Sequence, residues 1–295
     1  KEAPGRGWLS VPVLALLALS AGSGLVFVLR CLKRDVPIVQ LRTLRDRNFA
    51  IGCGLSFALG IGLFGATYLM PVFLAFVRGH EALRIGEIML VTGAAQLVTA
   101  PIAVWLERKT DPRLLAGLGF LVFSIGIAMS AFQTAETDFA EMLLPQLVRG
   151  VAIMFCLLPP TRLALGYLDA RDVPDASGLF NLMRNLGGAI GIALIDTVIY
   201  GRAPHHVASI IADLSAGNLD TARAVGIPDG MISGPMTTDP TPEMVALVQP
   251  MVTKLSLVYA INEAWAMIAV LTLLALLCIP WTRAVETGTP PPSAH

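Results

Sequence analysis

The sequence predicts an all-α, polytopic transmembrane bundle of about seven spans. Three observations predict it. Hydrophobic residues make up 55 % of the 295-residue chain. Charged residues make up only 14 %, against about 25 % in an ordinary soluble domain, too few to cover a soluble surface. The apolar residues also fall into unbroken runs of about 20 or more, the length a helix needs to cross a bilayer core. Barrel strands are excluded, because they would alternate polar and apolar residues over about ten positions. The mean hydropathy of +0.70 agrees, and 21 basic residues cancel 21 acidic ones, so no global field draws in nucleic acid.

The runs can be taken in order. Residues 8–29 carry no charge. Residues 49–77 carry none over 29 positions, enough to span with tilt or a kink near Pro71. Residues 88–106 form a third run, around Pro101, and 114–135 a fourth. The fifth, 142–168, is interrupted by Arg149 and is expected to close at Pro159-Pro160 and Arg162. The sixth, 176–200, carries Arg184 and Asp196. The seventh, about 255–281, carries Glu263. Five connections are short and one, 201–254, is long.

Short-loop Lys and Arg residues set the orientation. Twelve lie on one side, in 30–47, 108–113, 162–171 and at 283. The other side has four in its short segments, or seven with the long connection. The first side is expected to be cytoplasmic, with the amino end and the 201–254 loop outside and the C-terminus inside. Residues 37–49 alternate apolar Ile38, Leu41 and Leu44 with Arg42, Arg45 and Arg47, a pattern for a short amphipathic helix on the inner surface. In the outer loop 206–214 reads as a short helix, and 226–240, rich in Gly, Pro, Ser and Thr, as a mobile stretch. Thr241-Pro242-Glu243 reads as a helix start. The organisation is therefore an extra helix and linker (1–48), a six-helix bundle (49–283) and a disordered tail (284–295). Residue 1 is Lys and no secretory leader pattern follows it, so the chain is expected to be a piece of something longer.

An ionisable group inside a span costs roughly 2.5–3.5 kcal/mol on insertion scales, so it needs a use or a partner. Asp196 and Glu263 are candidates for carrying a proton, since a carboxyl in a low-dielectric cavity can load and release one near neutral pH. Arg149 and Arg184 are candidates for binding an anionic group or holding a carboxylate ionised. Each has a plainer reading, as a static pair or a side chain reaching the interface. Arg184 and Asp196 are twelve residues apart, about 18 Å along a helix, so they cannot pair. Gly187 and Gly191 form G-x-x-x-G with Gly188 beside them, which lets another helix approach closely. Gly60-Ile-Gly62-Leu-Phe-Gly65 matches a dinucleotide-binding pattern but lies mid-run with no strand before it, so it reads as helix packing. Cys31, Cys53, Cys156 and Cys278 lie in or beside apolar runs without C-x-x-C and read as small hydrophobes. His205-His206 lacks further ligands at metal-site spacing. No zinc-protease, nucleophile-elbow or ATP-loop motif is present. The expectation is a non-enzyme without cofactor or metal, and any transport must draw on a gradient.

The stretch Arg149-Gly150, Pro159-Pro160, Leu168-Asp169-Ala170-Arg171, Ala176-Ser177-Gly178-Leu179-Phe180-Asn181 and Arg184-Asn185-Leu186-Gly187-Gly188-Ala189-Ile190-Gly191 closely resembles the hallmark two-helix segment of EmrB/QacA drug efflux permeases. These form the fourteen-span branch of the major facilitator superfamily. Asp111-Pro112-Arg113-Leu114 resembles an inner loop of the C-terminal half. Arg202 with His205-His206 resembles the start of the outer loop, and Asn262-Glu263 the last span. The resemblance implies the C-terminal half of a major facilitator fold, preceded by the second of two extra helices. It implies proton-coupled export of lipophilic drugs by alternating access, in the bacterial inner membrane. The implied partners are the lipid bilayer, the N-terminal half of the same permease, a small lipophilic substrate, protons, and a periplasmic adaptor with an outer-membrane channel. Glu263 is the first candidate for proton coupling and Asp196 the second. Arg184, Arg149, Asn181 and Asn185 are the cavity or gate candidates, and Lys109, Asp111 and Arg113 the cytoplasmic gating loop. The competing readings are a metabolite or siderophore exporter on the same scaffold, and a non-transporting scaffold or sensor.

Overall fold

The computed structural model describes residues 10–33, 41–169, 171–227 and 242–283; of 242–247 only the helical backbone is described. Among the described residues, seven helices are long and apolar enough to cross a membrane. They are α1 (Val11–Lys33), α2 (Arg47–Phe76), α3 (Ala82–Glu107), α4 (Pro112–Met129), α5 (Phe139–Leu165), α6 (Val173–Ser215) and, after the short α7 (Leu219–Val225), α8 (Pro242–Leu274). A 3-10 turn extends α4 through Ser130–Phe132 and another extends α8 through Ala275–Trp281. No strand occurs among the described residues.

Local chemistry starts these helices. Asp46 caps α2 by accepting from the Phe49 amide at 2.8 Å. Asp111 caps α4 with proline at the first position. Asp138 and Glu141 form a reciprocal capping box at α5. Asn218 accepts from two amides of α7, and left-handed Gly226 (φ 93°) ends it.

The structure departs from the sequence reading in three places. The sixth span does not end near residue 200, and 206–214 is not a separate helix. One unbroken α6 runs to Ser215, about 64 Å at 1.5 Å per residue, twice a bilayer core of about 30 Å. Pro204 does not break it, and beyond that proline Ile210 is buried with Val225, Val252 and Leu255, flanked by Val207 and Leu214. This small apolar core, shared with α7 and α8, keeps the extension helical. Pro159-Pro160 likewise does not close the fifth span, which continues to Leu165. Tight packing by neighbouring helices tolerates proline in such segments. Residues 41–45 form one 3-10 turn leading into α2 rather than an amphipathic α-helix; residues 34–40 lie outside the described residues. So do 228–241, which hold most of the predicted mobile stretch, and the 284–295 tail.

Helix α2 touches all five other long helices of the bundle. It is apolar on every side, as a helix enclosed by others must be. Its closest neighbour is α6, and the two meet backbone to backbone. A Cβ at Gly60 would strike the Arg184 carbonyl, and one at Gly187 the Phe57 carbonyl; one at Gly191 would lie 3.0 Å from Ile61 Cα. A Cβ at Gly52 would lie 2.5 Å from that of Ala164 on α5. The Ser56 hydroxyl donates to the Phe180 carbonyl across the buried α2–α6 seam at 3.0 Å. By contrast α1 makes no extended contact with the other spans.

Reciprocal amide clamps fasten the two ends of the bundle. At the end rich in basic residues, the Arg283 amide donates to Asn48 Oδ1 at 2.7 Å and Asn48 Nδ2 donates back to the Arg283 carbonyl. At the far end, Asn262 Nδ2 donates to the Gln133 carbonyl at 2.7 Å and the Gln133 amide donates to Asn262 Oδ1. The loops there are also joined, because Arg78 and His80, after α2, both reach Asp138 at the start of α5. Partial burial raises the Asp138 carboxyl, but hydrogen bonds from His80 and Arg78 outweigh it and hold the group down at about 2.

Two predictions follow from these contacts. Gly187→Ala lowers stability by about 1–3 kcal/mol, the range for overpacking a tight contact. Gly178→Ala, on the same helix but with open space around it, raises stability by up to about 1 kcal/mol through helix propensity. Thermal unfolding in detergent followed by fluorescence tests both. For Asp138, a depressed folded-state pKa gives stability that is present above about 3.8 and lost as pH falls through about 2. Asp138→Asn keeps a capping side chain but loses the charge. It should melt below wild type at pH 7, by about 1 kcal/mol, and the two curves should converge toward pH 2.

Candidate functional site

Three of the four ionisable candidates of the spans form sites on different helices. The first is Arg149 on α5. It is the eleventh residue of its helix, about 15 Å in from the far end, near the middle of a bilayer core. It is only 4 % exposed. Its guanidinium lies over the Trp265 ring at 4.8 Å and Nη2 contacts Met70 Sδ at 3.8 Å, while Nη1 has no partner. No carboxylate pairs with it among the described residues. Gly126 on α4 makes room for its stem, since a Cβ there would lie 2.7 Å from Arg149 Cγ. Arg149 lines a pocket of about 50 Å³ walled by Leu63, Met70, Met89 and Ile153, with Thr67 and Thr92 as its other polar side chains. Gln146, one turn before Arg149, is fully buried, accepts from the Thr92 hydroxyl, and leaves Nε2 unpartnered. The Trp265 Nε1–H is also unpartnered.

The second site is Asp196 on α6. The sequence places it four residues from a span end, but the helix runs on and Asp196 is 6 % exposed. The Tyr68 hydroxyl of α2 donates to its Oδ1 at 2.6 Å. This bond joins the two helices whose glycines meet further down, and it leaves the second carboxylate oxygen without a protein donor among the described residues.

The third site is Glu263 on α8. Arg202 donates to both its oxygens, at 2.7 and 3.0 Å, and His206 Nε2 lies 3.1 Å from Oε1. His206 also packs edge-on to Tyr259. The Glu263 side chain is 35 % exposed. Both its oxygens are committed to an open ion-pair cluster, which fastens the α6 extension to α8.

The remaining candidates are separate. Arg184 is half-buried, with its head 5.5 Å from the Phe180 ring and Nε unpartnered. Asn181 and Asn185 are exposed on α6, and Asn181 donates to the Ser177 carbonyl. In the loop between α3 and α4, Asp111 both caps α4 and pairs with Arg113 at 2.8 Å; hydrogen bonds from Arg113 hold its carboxyl below the usual range. Arg113 Nη1 also reaches the Thr282 carbonyl, and Lys109 lies 4.3 Å over the Trp105 ring. This ties the loop to the end of α8. Sequence reasoning missed Tyr68, Gln146 and Trp265, and it met Asn48 only as part of the basic segment 37–49. The available signal was a lone hydrogen-bonding side chain inside a long apolar stretch.

The sequence profile described as Major Facilitator Superfamily matches residues 7–192, more than half of the chain. The colistin resistance protein EmrB of Acinetobacter baumannii is 33 % identical over 195 residues, 66 % of this chain and 38 % of that protein. The multidrug export protein EmrB of Escherichia coli is 30 % identical over 215 residues, 72 % and 42 %. The fatty acid resistance protein FarB of Neisseria gonorrhoeae is 28 % identical over 233 residues, 77 % and 45 %. The chain thus spans less than half the length of these relatives. With its seven apolar helices and the EmrB-like stretch running through α5 and α6, the chain belongs to the major facilitator superfamily, as a multi-pass membrane protein.

Proposed function

We propose that the chain is the C-terminal portion of a proton-coupled permease that exports lipophilic drugs by alternating access. The observation that carries this reading is Asp196, a buried carboxyl bonded to Tyr68 across the α2–α6 seam. Alternating access rocks packed helices around a midplane site, and a carboxyl bridging two such helices lets protonation decide whether they stay joined. Similarity to relatives named for colistin resistance and multidrug export supports this substrate class. Asp196 takes precedence over Glu263 as the coupling group, because Glu263 is already committed to Arg202 and His206. Glu263 then holds the far end together.

The exposed face of α6 that carries Asn181 and Asn185 would meet the N-terminal half of the permease. The Asp111–Arg113 loop, tied to Thr282, would act at the inner gate with Lys109. The basic end of the bundle is cytoplasmic by the positive-inside rule. The α6 extension, α7 and the start of α8 then project outward, where a periplasmic adaptor leading to an outer-membrane channel would dock.

The test uses the chain with the rest of the permease, in inverted vesicles, following a fluorescent lipophilic drug under an imposed pH gradient. Asp196→Asn should lower gradient-driven uptake at least tenfold at equal expression, and Glu263→Gln should retain at least half of it. Wild-type uptake from Asp196→Asn would remove its coupling role. Absence of uptake across a varied drug panel, from well-folded protein, would point to the metabolite or siderophore exporter or to a non-transporting scaffold.

A further inference from the structure

We infer that the Arg149 pocket is a binding site for a single anionic headgroup, of the carboxylate type, on a lipophilic molecule. This deepens the export reading and rests on it for the claim that the bound molecule is cargo. Arg149 is a guanidinium near the bilayer midplane, 4 % exposed, with no carboxylate partner among the described residues and with Nη1 unbonded. A buried charge without a counter-charge is costly, and an arriving anion removes that cost. The neighbouring spare groups have the same polarity. Gln146 Nε2 and Trp265 Nε1 are both buried N–H donors without acceptors. A planar two-oxygen head matches the guanidinium fork, which an amine or neutral hydroxyl does not.

Size and lining decide how the ligand sits. A volume of about 50 Å³ is far below the roughly 300–1,000 Å³ of whole-ligand pockets, so the pocket takes the head and excludes the rest. Leu63, Met70, Met89 and Ile153 give the pocket an apolar wall for the first carbons beside the head, and methionine adapts to varied shapes. The site is also held in place. Gly126 leaves space for the Arg149 stem, Trp265 stacks on its head, and Thr92 fixes Gln146. The same chemistry would admit a free inorganic anion, and the experiment separates the two sources.

The full-length permease in lipid nanodiscs is incubated with radiolabelled octanoate, without any gradient. Octanol, octyltrimethylammonium and chloride are added as competitors. Wild type should bind octanoate, and neither octanol nor octyltrimethylammonium should displace it. Arg149→Gln should weaken binding at least tenfold. Arg149→Lys, which keeps the charge without the fork and guards against a folding defect in the first variant, should weaken it several-fold. Displacement by millimolar chloride supports the anion site with an inorganic source; failure of chloride supports the amphiphile headgroup. Equal displacement by octanol or by the cation, or unchanged octanoate affinity in both folded variants, overturns the inference. Arg149-dependent binding without drug export would sink the export reading alone, and export without such binding would sink this inference alone.

Discussion

The rest of the bundle depends on the contact between α2 and α6. In lipid the hydrophobic effect does not drive one apolar helix onto another, because the tails are as apolar as the side chains. Association rests on close packing and interhelical hydrogen bonds. Here the two backbones touch where Gly60 faces the Arg184 carbonyl and Gly187 faces that of Phe57. The same device recurs around the bundle. Gly119 on α4 sits against the Phe155 backbone of α5, and Gly150 on α5 against the Thr92 carbonyl of α3. The glycines therefore fix which helices are neighbours, and larger residues such as Phe73, Phe120 and Trp265 fill what remains.

Close backbones also bring the few polar groups within reach of one another. The Ser56 bond to Phe180 and the Tyr68 bond to Asp196 both cross the α2–α6 seam. Asn48 and Asn262 each satisfy an orphan amide and an orphan carbonyl at an end of the bundle. A helix terminus leaves such groups unpaired, and leaving them buried and unsatisfied costs more than a made bond returns. Among the fully buried charged groups of the spans, Arg149 stands out because its neighbours supply contact and not compensation. Trp265 and Met70 give it a polarisable environment, but no opposite charge.

The fold was legible in the sequence because a membrane span is the strongest signal an apolar run can give. The seven runs correspond to the seven long helices. The extent of α6 was not legible. Residues 201–206 introduce Arg202, Pro204 and two histidines, which read as a loop; packing of Ile210 and its neighbours against α7 and α8, with the bonds from Arg202 and His206 to Glu263, holds them helical. Glu263 and Asp196 were found as charges in apolar runs, yet their order could not be. That order depends on partners far along the chain, with Arg202 61 residues from Glu263 and Tyr68 128 residues from Asp196. Arg149 was visible for the same reason as the acids, while its lack of a carboxylate partner among the described residues is a property of five helices at once.

The length of α6 gives these separate sites a mechanical relation. Asp196 and Arg202 lie six residues apart, about 9 Å along one helix. The first is bonded to α2 and the second to α8. Because the helix is continuous from Val173 to Ser215, a tilt that parts α6 from Tyr68 also moves Arg202 against Glu263. The glycine seam below brings the backbones close, and Phe64 and Ile61 of α2 pack against Gly188 and Gly191 of α6, so the seam pivots where α6 presents the least bulk. In the proposed coupling, protonation of Asp196 would remove the charge from its bond with Tyr68. The ion-pair cluster at Glu263 would then limit how far the freed helix moves, so that one group loosens the seam and the other restrains it.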